Sequence, residues 1–410
     1  MRNKRKIVND PIYGFISIPS ELVFDIMEHP YFQRLRRISQ MGMSYLVYPG
    51  AHHTRFHHAL GAMFLMQRAV YVLRTKDINI SSEEEEALYI AILLHDIGHG
   101  PFSHALENSI IENLTHETIS LAFMEALNDE FEGKLSLAIQ IFRNEHPRAF
   151  FHQLIASQLD VDRLDYLRRD SFYSGVQEGT INSQRIIAML NVHNDTLVVE
   201  EKGIYSIEKF IIARRLMYWQ VYLHKTGLAA EQLLLRMLKR AKELVSEGVE
   251  VPASEALSFF LSNSNQPFDL KGTVLNTFAK LDDYDIVSAM KQWTDHSDFV
   301  LRSLSSMLLN RNLLKIKLKK RPPSPEKMKK KLKKVMDGYK LSEKEARYFV
   351  FSGTIENQAY NMDKNPICLL TRNGKIKDVA KASDQVNLMA LAEKVTKYYV
   401  CYPKRGSIEQ

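Results

Sequence analysis

A mainly α-helical bundle with small β-hairpins and a C-terminal α+β appendage is what the 410-residue sequence predicts, on three observations. Apolar residues recur at helical spacing from Glu83 to Leu94 (Ala87, Leu88, Ile90, Ala91, Leu94) and over the longer stretch Glu208 to Leu244. Short alternating segments flanked by turn residues occur at Lys6 to Ile18, at Asn191 to Ile207 and in the tail. The composition, 45% hydrophobic and 25% charged, is that of a globular chain long enough for one large domain with an appendage. The boundary is expected near residue 250, giving a core over 1–250 and a helical and α+β region over 251–410.

From the N-terminus, Lys6 to Ile18 reads as a hairpin or extended arm, and Pro19-Ser20-Glu21 opens a helix with Leu22, Ile26 and Met27 on its apolar face. His29-Pro30 interrupts it. The next short helix carries Arg34, Arg36 and Arg37, either as a solvated face or as contacts to phosphate. After the turn Tyr48-Pro49-Gly50, four histidines and Arg55 cluster in Ala51 to His58, with His52 and His53 read as loop surface. Ala59 to Leu73 reads as a helix with His58 in its first turn.

The helix Glu83 to Leu94 delivers His95 and Asp96 at its carboxyl end, where Gly98, Gly100 and Pro101 stop it. His99 and His104 follow on the turn. Leu106 to Phe142 is helical, with a start near Glu117, and Ala149 to Asp170 reads as one long helix. On it Arg163, Tyr166 and Asp170 form a polar stripe bordered by Asp162. Leu197 to Tyr205 reads as a hairpin around Lys202-Gly203. In the region Glu208 to Leu244, Arg214, Tyr218 and Tyr222 are four apart, with His224 and Lys225 beyond and a bend at Gly227. Basic and aromatic residues so spaced suit a nucleotide; the competing reading is plain core. Ser254 caps a further helix and Phe268 to Leu309 continues the pattern. A basic, proline-containing linker follows near 311–334, and the tail reads as strands around Asn373-Gly374.

His58, His95, Asp96 and Asp162 together offer two imidazoles and two carboxylates from separate helices. That donor set suits a divalent ion (Mn, Fe, Zn, Ni or Mg) with positions open to water and a phosphate oxygen. His99, His104, His116 and Glu107 stand near enough in sequence to supply a proton to a leaving alkoxide. The net charge of +7 suits anionic ligands, nucleotide or nucleic acid. Two cysteines, Cys368 and Cys401, give no disulfide framework, the first ten residues lack a secretory apolar core, and no run approaches the length of a membrane span. A cytoplasmic protein without a membrane partner is expected.

The blocks Asn9-Asp10-Pro11-Ile12, Gln33-Arg34-Leu35-Arg36, Tyr48-Pro49-Gly50-Ala51, Arg55-Phe56-His57-His58, His95-Asp96-Ile97-Gly98-His99-Gly100-Pro101-Phe102-Ser103-His104 and Asp160-Val161-Asp162-Arg163-Leu164-Asp165-Tyr166 occur in order. In this the chain resembles the HD-domain metal-dependent phosphohydrolases of the deoxynucleoside triphosphate (dNTP) triphosphohydrolase type. The resemblance implies an HD helical core that hydrolyses a dNTP to deoxynucleoside and triphosphate. It implies His58, His95, Asp96 and Asp162 as metal ligands and His104 as proton donor supported by Glu107, with His99 and His116 near the phosphates. By the same resemblance Gln40 reads the sugar, Arg55, Arg163 and Arg214 hold phosphates, Tyr166, Asp170 and Tyr222 line the sugar, and His224 sits beside the base. A nucleotide effector at Lys6, Asn9, Glu28, Gln33 and Arg36, between subunits of a dimer or tetramer, is likewise implied. The chain departs from the family pattern with Arg163 for lysine, Glu107 and Glu28 for aspartates, and His57 for glutamate. The alternative is an HD-type phosphodiesterase, or a nucleic-acid-binding protein using the basic segment.

Overall fold

The architecture is mainly helical, in a computed structural model that describes residues 6–103, 114–263, 269–384, 388 and 391–404. Its centre is the helix Arg55–Arg74, which packs against Ser82–Leu94 on one side and Val161–Ser174 on the other. Residues 87–94 are all buried, so this helix is covered on every side rather than along one stripe. Ser81 starts it with a capping box, its hydroxyl accepting from the Glu84 N–H while Glu84 accepts from the Ser81 N–H. Ser20 caps the helix Glu21–Glu28 with its hydroxyl alone, accepting from the Val23 N–H, as its sequence signal predicts.

Three small sheets decorate the bundle. Ile7–Asp10 and Gly14–Ser17 form the expected N-terminal hairpin. Leu190–His193 and Thr196–Glu200 pair antiparallel, then Thr196–Glu200 pairs parallel with Cys368–Leu370, which pairs with Ile376–Asp378. Strands from either side of residue 250 thus share one sheet. The third sheet has Val395–Tyr402 between Lys315–Lys319 and Phe351–Asn357.

Several local expectations are corrected. The helix expected over Ala149 to Asp170 is two, Ala149–Ile155 and Val161–Ser174. Asp160 breaks it: one carboxylate oxygen accepts from the Ser157 N–H at 2.7 Å and the other from the Arg163 N–H at 2.7 Å, capping a new helix. The hairpin turns at Asn194-Asp195, both at positive φ, and not at Lys202-Gly203, which leads into the helix Ile204–Met217. That helix runs into one π-helical turn, Tyr218–Tyr222, and the break falls at Leu223-His224; Gly227 is helical. No helix among the described residues is long and apolar enough to cross a membrane.

Candidate active site

Three helices bring His58, His95 and Asp162 within 4.8 Å of one another, and Asp96 lies beside them, one of its oxygens taken by Arg55. His58 lies in the first turn of Arg55–Arg74, His95 and Asp96 directly follow Leu94, and Asp162 is the second residue of Val161–Ser174. His58 Nε2 lies 3.1 Å from Asp162 Oδ1 and 3.8 Å from Asp96 Oδ2. His95 Nε2 lies 3.6 Å from the same Asp162 oxygen and 3.4 Å from Asp96 Oδ1. Ligands at about 2.1 Å from one ion stand about 3.0 Å apart at a right angle and about 3.6 Å apart at 120°. Both Nε2 atoms are buried without a hydrogen bond of good geometry. Their Nδ1 atoms are engaged, that of His58 with Asp165 Oδ2 at 2.7 Å and that of His95 with the Ile92 carbonyl at 2.6 Å. Each ring is therefore aimed from behind, the arrangement of metal-ligating histidines. The residues fit a divalent cation, as HD domains bind.

The electrostatics agree. Burial pulls the His58 pKa down, but the adjacent Asp162 and Asp165 carboxylates outweigh it and push it up to about 10. Burial pushes Asp162 up, and contacts to His58 and His95 override this and hold it below the usual carboxylate range. The centre favours positive charge. Beside it Asp96 Oδ1 lies 3.4 Å from His99 Nε2, and the His99 ring stacks on His116 with centroids 4.0 Å apart. Asp96, His99 and His116 make a second cluster whose donor atoms lie within 4.8 Å of one another. Burial and Arg55 hold His99 well below its ordinary pKa. His104 and Glu107 lie outside the described residues.

A cleft of about 420 Å³ opens onto these groups, lined by Gln40, Arg55, Arg163, Tyr166, Asp170 and Tyr222 among the expected residues, and by Tyr218. The Tyr222 hydroxyl donates to Asp170 at 2.7 Å, and the other Asp170 oxygen lies 2.7 Å from His53 Nε2. His53, expected at the surface, is thus buried and stacked on Tyr173. Arg214 and His224 are not among the residues lining the cleft: Arg214 donates to the Ala359 carbonyl at 3.2 Å, and His224 Nδ1 accepts from the Thr226 N–H. Met43 and Ser44 also line the cleft and carry no sequence signal, because the short 3-10 turn Gly42–Leu46 has no periodicity to read, while Glu231 and Leu234 come from the helix Lys225–Ser246. Of the residues implied for an effector, Gln33 accepts from Arg36, which lies over Phe56, while Lys6 lies over Phe24 of the helix that ends at Glu28. Asn9 pairs with Phe15 in the N-terminal hairpin.

Several residues hold the 97–103 turn, and among them Arg34, expected as a solvated face or a phosphate contact, lies inside the fold. Gly98 presses on the helix His116–Glu130: a Cβ there would meet the His116 carbonyl at 2.2 Å and the Ser120 nitrogen at 2.3 Å. Arg34, fully buried, donates to the carbonyls of Ile97 (3.0 Å), His99 (2.5 Å) and Leu281 (3.1 Å). Asp283, at the start of the helix Asp283–Trp293, accepts from the N–H groups of Phe102 (2.7 Å) and Ser39 (2.8 Å). Phe102 and Ser103 both hold positive φ, so the turn needs such ties. Asp283→Ala strands two donors and is expected to cost about 2–4 kcal/mol. Chemical denaturation measures that loss, and faster amide exchange at Ser39 and Phe102 locates it.

Residues 55–170 match the HD domain family and residues 181–259 match the HD-associated region. The fold superposes on the crystal structure of a phosphohydrolase from Bacteroides thetaiotaomicron with a TM-score of 0.93 and 52% identity, over 98% of this chain and 100% of that one. The uncharacterized protein YwfO of Bacillus subtilis is 30% identical over 98% of this chain and 93% of its own length. A Dictyostelium discoideum protein named deoxynucleoside triphosphate triphosphohydrolase SAMHD1 homolog is 30% identical over 65% of this chain, which spans 56% of that relative. By motif, metal-ready donor geometry and full-length likeness, the chain belongs to the HD-domain phosphohydrolases.

Proposed function

We propose that this phosphohydrolase cleaves dNTPs to deoxynucleoside and triphosphate, with His58, His95, Asp96 and Asp162 holding a divalent ion. The observation that carries the reading is one cleft with a metal-ready donor set at its floor and a Tyr–Asp–His-braced aromatic wall beside it. Likeness to a relative named for this activity supports it. A divalent ion bound there polarises a phosphoryl oxygen and lowers the pKa of its bound water. Arg55 and Arg163 neutralise phosphate charge at the cleft, and Arg214 joins them when substrate draws it from the Ala359 carbonyl. His99 and His116 present imidazole to the phosphates. Water adds to the α-phosphorus as the bond to the sugar 5′ oxygen breaks, and that oxygen takes a proton from His104, supported by Glu107.

Gln40, Tyr166 and Tyr222 pack the sugar, with Asp170 fixing the Tyr222 ring so that an added 2′-hydroxyl meets a wall that does not yield. His224 borders the base. In the same proposal the protein is a homo-oligomer, and Lys6, Asn9, Glu28, Gln33 and Arg36 contribute to a nucleotide effector site. The test is to incubate the protein with each dNTP, NTPs, guanosine tetraphosphate and short oligonucleotides across divalent metals and to identify the products. Inorganic triphosphate from dNTPs is the expected result; consumption of oligonucleotides alone overturns the reading.

A further inference from the structure

Twelve lysines and arginines and one acid, Glu326, lie between Arg311 and Lys334, and the fold gathers many of them on the three-stranded sheet. Lys315–Lys319 is an edge strand in which Ile316 and Leu318 turn toward the core while Lys315, Lys317 and Lys319 are exposed. Directly opposite Lys315 stands Tyr402, and opposite Lys319 stands Tyr398. The helix Pro325–Tyr339 adds Lys331, whose ammonium sits 3.2 Å from the Tyr402 ring centroid.

Beyond the end of the strand Lys320 faces a second group, Lys397 and Arg215, which is separate from the first because Lys397 alternates with Tyr398 and lies on the opposite face of the sheet from Lys317 and Lys319. There Lys397 lies 3.5 Å over the Trp219 ring, and Arg215 Nη1 is buried with no hydrogen-bond partner. None of these lysines forms an ion pair among the described residues. Burial and the facing Lys317 and Lys319 lower the Lys331 pKa, although Tyr402 opposes the shift. Burial, Arg215 and Lys320 lower that of Lys397. Lys317, Lys319 and Lys331 are thus crowded against one another on one face of the sheet, with the Tyr402 ring beneath Lys331. Such crowding costs free energy that a bound polyanion would recover.

We propose that this strip, Lys315, Lys317 and Lys319 with Lys331 over Tyr402, binds single-stranded nucleic acid through its phosphates. The strand repeat sets Lys317 and Lys319 about 6.6 Å apart, a step on the scale of successive phosphates in an extended strand. A positive track with flat rings is the general chemistry by which unpaired strands are held without sequence preference. An anionic membrane is the poorer fit, because the apolar residues of the strand point inward and leave nothing to insert among lipid tails. The strip lies outside the catalytic cleft, so its test does not depend on the dNTP reading.

The experiment is fluorescence anisotropy of labelled oligothymidine and oligouridine of about 20 nucleotides, with chelator present so that nothing is hydrolysed. Wild-type binding is expected to weaken with salt. Lys317→Gln/Lys319→Gln is expected to bind at least about tenfold more weakly, with a log K against log salt slope shallower by about 0.7 per lysine removed. The variant should keep its metal uptake and its melting temperature, since both side chains are exposed and touch nothing in the cleft. The proposal is overturned by no oligonucleotide binding at low salt, by unchanged affinity in the variant, by preference for a duplex of equal length, or by capture on phosphatidylserine vesicles without capture of oligonucleotides.

Discussion

Replacing His95 or Asp162 with alanine is expected to lower triphosphate release from dNTPs on the order of 10³-fold and to strip the bound metal. Asp162 Oδ1 faces both imidazole nitrogens, at 3.1 Å and 3.6 Å, so its loss removes the atom on which the donors converge. A Lewis acid supplies several kcal/mol to a phosphoryl transition state, and each 1.36 kcal/mol is a factor of ten. Metal analysis of the purified variants, read beside their turnover, checks this. Near-wild-type turnover in a variant holding no metal would disprove the assignment. Chelation of the wild type should act in the same direction and reversibly, lowering its melting temperature, because a ligand at 100 times its Kd stabilises the folded state by about 2.7 kcal/mol.

Gly61→Ala is expected to destabilise the fold strongly and to disturb His58. A Cβ at Gly61 would stand 2.1 Å from Arg169 Nη2 and 2.1 Å from Asp165 Oδ1, and both side chains are fully buried. Those atoms belong to a chain of contacts that ends at the metal centre. Asp10 accepts from the N–H groups of Ile12 and Tyr13 (2.9 Å each) and from Arg169 Nη1 (2.7 Å). Arg169 donates twice to Asp165 (2.9 and 3.0 Å), and Asp165 holds His58 Nδ1. Separating a buried ion pair of this kind costs about 3–5 kcal/mol. Denaturant titration of Gly61→Ala should show that loss. Asp165→Asn keeps the volume, and its expected signature is a metal affinity about 10–100-fold weaker, measured by Mn²⁺ titration, with the fold retained. If Asp165→Asn binds metal as tightly as the wild type, Asp165 does not orient His58.

The donor set and the chain elements differ in how they could be read. His58, His95, Asp96 and Asp162 were legible because histidine and aspartate beside helix ends and breakers are unusual there and the blocks occur in order. Helix starts at Ser20 and Ser254 were legible because capping is a contact across three residues. Asp165 and Arg169 were not: one turn apart on a helix, they read as an ordinary surface pair, yet both are buried. His53 was misread for the same reason, since its partners Asp170 and Tyr173 lie more than a hundred residues away. Asp283, almost two hundred residues from the turn it ties, could not be anticipated from either segment alone.

By itself the sequence determined the helical class, several helix starts and the candidate metal donors, all of which depend on residue type and spacing within a few turns of chain. Only the tertiary structure decided which charged residues lie inside. Burial of a charge depends on whether a distant segment brings its counterpart, and Asp10, Arg169, Asp165 and His58 meet because three parts of the chain pack on one glycine.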